Sequence, residues 1–511
     1  LERSLTGRVE TPMQNRFIKI AVTATFAALV LVAGAGADDI KLPDMGSPAD
    51  AILSANEEAR FGRAIMRDIM SSGSVIEDPL VTEYINEVGN RVAAQTNDGD
   101  IDFTFFVVDD QRINAFALPG GFIGVHTGLL EATRSEDELA GVLAHEVAHV
   151  TQRHIARAIH ASSRQSLLST AIMLGAMIAG AAGGSSDVVQ AGMAVAQGSA
   201  AQAQINFTRA NEHEADRVGI SALAGAGFDP YGMASFFDVM SRQNTRAPDD
   251  RAPEFLMTHP VTSSRIAEAR DRARDFDPVR SVDSVSYGIA KVRVIVDRFE
   301  TPKEAVAHFE NRAYQNQNEY ERYGRMLAYM RDGNYSMALD IAEGLSERNP
   351  EVIAYRIALG DAQAKIGRND DALRTFETAL ELFPRNVPLV IAYAERLLDF
   401  NQPQKAHTIL LDLLNNVPPT PNQVRLIARA ASEANEQAES LYYLSEYRFM
   451  IGDLIGGINY LQQALRVPEL QEIQRIRFEA RIDFIREFMT EEQLRNMPRA
   501  QPSGRSARNS S

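Results

Sequence analysis

Three residue series recur at one interval in the C-terminal part of the chain. Gly333, Gly367 and Asn401 lie 34 residues apart, as do Ala338, Ala372 and Ala406, and Pro350, Pro384 and Pro418. A fixed period of this length restricts the fold to a stack of similar units, because one unit cannot bury its apolar face without a neighbour. The residue types describe the unit as a helix–turn–helix. A small residue stands where the two helices pack, Gly or Asn ends the first helix, and Pro stops the second. The pattern is helical throughout residues 301 to 490. After the third copy the series loses phase. Gly452 and Gly457 recreate the turn and small-residue positions 51 residues after Asn401 and Ala406, which reads as one degenerate repeat plus an extra helix.

This period resembles the tetratricopeptide repeat. A solenoid of that kind offers a concave surface to another protein. The plainer alternative is a helical packing domain without a partner.

Composition narrows the rest. The 511 residues carry 68 Asp and Glu against 52 Lys and Arg, a net charge of −16, so no nucleic-acid partner is expected. The absence of cysteine excludes disulfide scaffolds, iron–sulfur proteins, cysteine proteases and Cys-ligated zinc. A metal site must then use Asp, Glu and the nine histidines.

The N-terminus reads as an address. From Met13, which looks like a better start than Leu1, Arg16 and Lys19 precede an apolar core over Ile20 to Val32. Small residues through Ala35 and Ala37 then offer cleavage sites, the pattern of a secretory signal. The expected location of the mature chain is the periplasm, and the alternative is an uncleaved anchor. A second uncharged stretch, Leu167 to Gly184, together with Ala191 to Ala203, reads as a Gly/Ala-rich helical hairpin lying over a cleft as a mobile lid. The competing reading is a membrane span.

Between these segments the pattern is mixed. Residues 101 to 108 read as a buried strand, and 116 to 125 as two extended pieces broken by Pro119-Gly120-Gly121. Leu139 to Ile159 reads as one helix, with Ser135 as N-cap and Glu138 completing a capping box. Lys291 to Val296 reads as strand-like, within a connection over 277 to 300.

The chemistry centres on His145-Glu146-Val147-Ala148-His149 inside that helix. At about 100° per residue both imidazoles leave one face, about 40° apart. Two neutral imidazoles suit zinc, and Glu146 on the rim can reach an activated water. A second segment, Asn211 to Arg217, places Glu212 and Asp216 on one helical face. A carboxylate third ligand and an orienting carboxylate would complete a catalytic site. His213 and Glu214 read as a solvated helix start. His126, His154, His160, His308 and His407 lack partners at ligand spacing and read as structural or solvated.

HEVAH, EHEAD about 65 residues later, Thr258-His259-Pro260 followed by Arg265-Ile266, and NAFALPGGFIGVHTGLL before the first motif together carry a resemblance. The chain resembles the zinc metallopeptidase family that includes the HtpX-like and CAAX prenyl proteases, and within it the BepA-like periplasmic members with C-terminal tetratricopeptide repeats. The resemblance implies one zinc per chain held by His145, His149 and Glu212, with Glu146 as catalytic residue. It makes Asp216 either an orienting partner of a ligand histidine or a proton donor. It implies that His259 can approach the metal as a fourth, regulatory ligand. It also implies that Ala115, Phe116, Ala117 and Leu118 form an edge strand that pairs with extended substrate.

The expected fold is therefore α+β and mostly helical, a gluzincin-type metalloprotease domain with a small sheet followed by an all-α tetratricopeptide solenoid. The expected divisions are 1–37 (upstream residues and signal), 38–276 (peptidase), 277–300 (connection), 301–490 (repeats) and 491–511 (a basic disordered tail). The resemblance implies a periplasmic endopeptidase that degrades misassembled outer-membrane proteins, aids their assembly, and docks on assembly machinery through its repeats, with room for membrane-peripheral association. The rival readings are a chaperone or adaptor with a latent protease site, and an integral membrane protease.

Overall fold

The computed structural model describes residues 54–96, 101–161, 209–246, 253–277, 279, 282–313, 318–489 and 491–496. The expected signal, the Gly/Ala-rich lid and the final fifteen residues of the expected tail lie outside the described residues. Among the described residues no helix is long and apolar enough to cross a membrane.

The architecture is mostly helical with one four-stranded sheet of order β1-β2-β4-β3. The strands are β1 (Val75–Ile76), β2 (Thr104–Val108), β3 (Ala115–Leu118) and β4 (Phe122–His126). β2 runs parallel to β4, and β3 pairs antiparallel with β4, leaving β3 at the edge. The turn between β3 and β4 needs Gly120 and Gly121, whose φ angles are 79° and 90°, a region that a side chain disfavours.

One sheet face is covered by α1 (Ala55–Ser71), through Ile65, Met66 and Ile69 against Phe106, Val108 and Leu118. The other face meets the main core, built with α2 (Pro79–Ala93), α4 (Glu136–Thr151), α6 (Arg209–Gly225) and α7 (Gly232–Arg246), with the short α3 (Thr127–Ala132) beside β4. Every α4 residue from Asp137 to His149 is buried, so this helix is enclosed on all sides. Ser135 caps it by accepting from the Glu138 N–H. Half of the expected capping box is replaced: Glu138 reaches past Ser135 to the backbone N–H and guanidinium of Arg134. The expected single helix to Ile159 is in fact two. α4 ends at Thr151, Arg153 takes a φ of 51°, and α5 (His154–Ala161) starts afresh.

After α8 (Glu254–Thr258) and α9 (Ser263–Ala273), the stretch expected to contain a strand is a helix, α10 (Val285–Arg298). The apolar residues of Lys291 to Val296 face two sides because two cores share the helix. Tyr287, Ala290 and Val294 join the main core beside the sheet, while Ile289, Val292, Ile295 and Val296 join the first repeat core. Burial on both faces removes the one-sided period that marks a helix.

The repeats run through α11 (Pro302–Ala313), α12 (Glu319–Asp332), α13 (Tyr335–Arg348), α14 (Ile353–Lys365), α15 (Asn369–Leu382), α16 (Val387–Asp399), α17 (Pro403–Leu414), α18 (Pro421–Glu433) and α19 (Gln437–Met450). Then come α20 (Leu454–Ala464), α21 (Glu472–Arg486) and α22 (Glu491–Asn496). Ala338, Ala372 and Ala406 are fully buried, and Gly333, Gly367 and Asn401 all adopt positive φ at the turns. The period does not fail where expected. Asn435, 34 residues after Asn401, has a φ of 63°, and the buried Ser440 stands where the alanines stood. α18 and α19 are a regular fourth pair, and Gly452 opens a further helix. The solenoid also contacts the peptidase helices: Arg293 donates to Asp78 and to the Tyr323 hydroxyl, both at 2.6 Å.

Candidate metal centre

α4 brings His145, Glu146 and His149 to one buried point, and α6 crosses it closely enough to add Glu212 and Asp216. The close approach depends on Gly219, where a Cβ would lie 3.0 Å from the Ala144 carbonyl oxygen. α8 then ends at His259, whose N–H bonds back to the Phe255 carbonyl at 2.7 Å, leaving the ring turned inward. His145, His149, Glu212 and His259 are all buried, and one ligand atom from each lies within 4.8 Å of the others.

The distances within the cluster are short. His145 Nε2 is 3.0 Å from His149 Nε2 and 3.2 Å from His259 Nδ1. Glu212 Oε1 is 3.2 Å from His259 Nδ1 and 3.5 Å from His149 Nε2, and Oε2 is 3.5 Å from His145 Nε2. Glu146 stands on the rim, with its Oε1 buried, without a hydrogen-bond partner, and 3.5 Å from His259 Nε2.

Behind these groups lies a layer of carboxylates and a guanidinium. Asp216 Oδ1 is 3.0 Å from His145 Nδ1. Arg265, only 2% exposed, donates to both Asp216 oxygens at 2.7 Å, lies 2.7 Å from Glu212 Oε2, and donates to the Pro260 carbonyl at 3.0 Å. One buried cation thus holds two carboxylates and the residue after His259.

The electrostatics fit a cation. Burial opposes charge on Glu212, yet His259 and His145 hold its carboxyl far below the usual range. Burial likewise opposes charge on His145, but Asp216 and Glu212 push its pKa up to about 9. His149 is kept neutral by burial and by the imidazoles of His145 and His259. His149 is thus a neutral nitrogen donor beside an ionised Glu212, and a divalent metal would compete with the proton that Asp216 and Glu212 hold on His145.

All the residues singled out from sequence for the centre converge there. Ala115 to Leu118 lie apart from the cluster, on the edge strand packed beside α4. Three participants were missed. Arg265 entered only as part of a family pattern, with no signal of its own contacts. His154 was read as structural or solvated, but its Nδ1 lies 2.8 Å from His149 Nδ1. Glu214, read as solvated, has its Oε2 3.2 Å from His154 Nε2. The other described histidines, His126, His213, His308 and His407, stand outside the cluster.

Known proteins match this arrangement along the chain. Residues 79–273 fit the model of peptidase family M48, and residues 363–430 a tetratricopeptide repeat model. The beta-barrel assembly-enhancing protease of Escherichia coli K12 is 33% identical over 485 residues, 93% of this chain and 98% of that one. Its Vibrio cholerae counterpart is 34% identical over 464 residues, 89% and 94% of the two chains. Mitochondrial metalloendopeptidase OMA1 of Schizosaccharomyces pombe is 31% identical over 223 residues, 43% of this chain and 62% of that one. With a peptidase domain, repeats in the same order and near full-length identity of this degree, the chain belongs to the family of the beta-barrel assembly-enhancing proteases, M48 metallopeptidases that carry tetratricopeptide repeats.

Proposed function

We propose that the protein is a zinc endopeptidase of the periplasm, and that it cuts outer-membrane proteins that have failed to assemble. The observation that carries the reading is the buried four-residue cluster with Glu146 at its rim. His145, His149 and Glu212 would hold the metal, and two imidazoles with one carboxylate is a donor set typical of catalytic zinc. Zinc, when bound, supplies a Lewis acid that polarises the scissile carbonyl and acidifies water. Glu146 would take the proton of the attacking water and deliver it to the leaving amine. Asp216 would orient His145; with both oxygens bonded to Arg265, it is better suited to that role than to proton donation.

Substrate would add as a strand to β3. The Asn114 carbonyl accepts from the His126 N–H, so the alternation of the ladder turns the peptide groups of Ala115 and Ala117 away from β4. His259 would occupy the open position in the resting enzyme, and its placement among the other three residues supports that regulatory reading. The secretory pattern at the N-terminus and relatives named for β-barrel assembly support the compartment and the substrate class. The repeats would dock the enzyme on assembly machinery.

Replacing Glu146 by Gln in the full chain tests the catalytic reading. The variant should retain one zinc per chain, measured by elemental analysis, and digest casein roughly 10²–10⁴-fold more slowly. Wild-type digestion would refute it. A closed site at rest also favours one rival, an assembly chaperone with a latent protease. That rival wins if Glu146→Gln fully rescues an outer-membrane assembly defect.

A further inference from the structure

His149 and His154 are five residues apart. In one continuous helix their side chains would leave about 140° apart, and no contact could form. The chain breaks to make the contact. Gln152 closes α4 by donating to the Ala148 carbonyl, Arg153 takes a left-handed φ of 51°, and α5 begins at His154. A non-glycine residue in that region is strained, and such strain gathers where a site requires it. Arg153 is held there by Glu58 of α1, which accepts from its Nε at 3.1 Å. The result is a His154 ring that is fully buried, 4.8 Å from the His149 ring at an interplanar angle of 74°.

The hydrogens in this arrangement can be assigned from the partners. His149 Nε2 faces His145 and Glu212, so Nδ1 carries the proton. That proton points at His154 Nδ1, 2.8 Å away, which must therefore accept. His154 then carries its own proton on Nε2 and donates to Glu214 Oε2 at 3.2 Å. Arg157 donates to the same carboxylate oxygen at 2.8 Å. The order is carboxylate, imidazole, imidazole, metal position. His145 has a shorter version of the same support, with Asp216 directly behind it.

Resting on the reading that His149 is a metal ligand, we infer that His154, backed by Glu214, is a positioning residue that fixes the tautomer and ring angle of His149 and so sets the affinity of the centre for its metal. Outer partners of ligand histidines commonly govern metal affinity by 10- to 100-fold. The left-handed turn at Arg153 exists to return His154 to that position.

The test is zinc affinity of the full chain, stripped of metal and titrated with Zn2+ against a chromophoric chelator, with Co2+ absorption bands as a second readout. His154→Phe keeps the ring volume and removes the acceptor; affinity should fall about 10- to 100-fold, and the Co2+ bands should shift. His154→Gln restores an acceptor for His149 and a donor for Glu214; affinity should stay within about threefold of wild type, with wild-type bands. Glu214→Ala should weaken binding by at least about threefold. Unchanged affinity in folded His154→Phe overturns the inference, as does His154→Gln falling as far as Phe. Should His154→Phe fail to fold, Glu214→Ala decides, because that side chain is 26% exposed and its loss is tolerable; unchanged affinity there overturns the inference. His149→Ala separates the two levels: retention of zinc by that variant refutes the ligand assignment itself.

Discussion

The backbone N–H of Phe255 donates to the carbonyl of Ile113 at 3.0 Å, which ties the helix that ends in His259 to the residue leading into edge strand β3. Arg112 lies 2.5 Å from Glu254 on the same helix, and Asn114 donates to Glu254 at 3.3 Å. The Ile113 carbonyl belongs to the same outward series as Ala115 and Ala117, so α8 already occupies one end of the free edge. On the proposed reading, a substrate strand that lengthened past Ala115 would compete with α8 and loosen His259.

Glu254→Ala should therefore raise basal proteolysis. An ion pair with a half-exposed arginine contributes about 0.2–1 kcal/mol, so the closed state weakens by up to roughly fivefold. Casein digestion should rise by about two- to fivefold at unchanged zinc content, and by more in His259→Ala. A lower rate in both variants would mean that His259 assists turnover and does not restrain it.

The sequence was most informative where one physical rule acted alone. A helix with histidines four apart has one geometry, and a 34-residue period has one meaning. It was least informative where two surfaces competed for one element. α10 lost its helical signature because Tyr287 and Ile295 face different cores. His154 was invisible because its contact depends on a left-handed residue, Arg153, which nothing in the local composition announces. The fourth repeat was hidden although Asn435 keeps the turn residue of Asn401: Ser440 replaces the alanine, bonding to the Ala428 carbonyl at 2.9 Å, and Gly452 stands where a fourth proline would.

Ala372 on α15 is fully buried. Forcing a ring into so buried a site is overpacking, which costs about 1–3 kcal/mol. Ala372→Phe should lower the urea midpoint of the repeats, followed by far-UV circular dichroism. Because the first repeat core shares α10 with the peptidase core, proteolytic activity should fall in the same transition. A separate, unshifted loss of activity would show that the two cores unfold independently.

Asp361 on α14 has its carboxyl pushed up to about 6, first by burial and then by Glu395, against the pull of Arg396 3.7 Å away. Its unfolded value is near 3.9. A raised carboxyl pKa means that the folded state keeps the proton longer than the unfolded chain does. This group therefore favours folding most below about pH 4, and that contribution is lost as the pH rises through 6. Asp361→Asn removes the dependence. The variant should gain thermal stability over wild type at pH 7.5, and the gain should vanish at pH 4. An equal effect at both pH values would show that Asp361 is not the titrating group.

The Arg265 guanidinium bridges Glu212 and Asp216 in a buried layer. Removing one partner of a buried ion pair leaves an uncompensated charge, typically a loss of about 3–5 kcal/mol. Arg265→Met preserves most of the volume over Phe237, on whose ring the guanidinium lies 4.8 Å from the centroid, so the loss is electrostatic. Arg265→Lys supplies a point charge that cannot span two carboxylates and the Pro260 carbonyl at once, and should lie between Met and wild type. Urea midpoints for the three proteins in excess chelator give the comparison without interference from the metal. A loss below about 1 kcal/mol for Met would mean that the carboxylates find other partners, and Arg265 would then have no special hold on the centre.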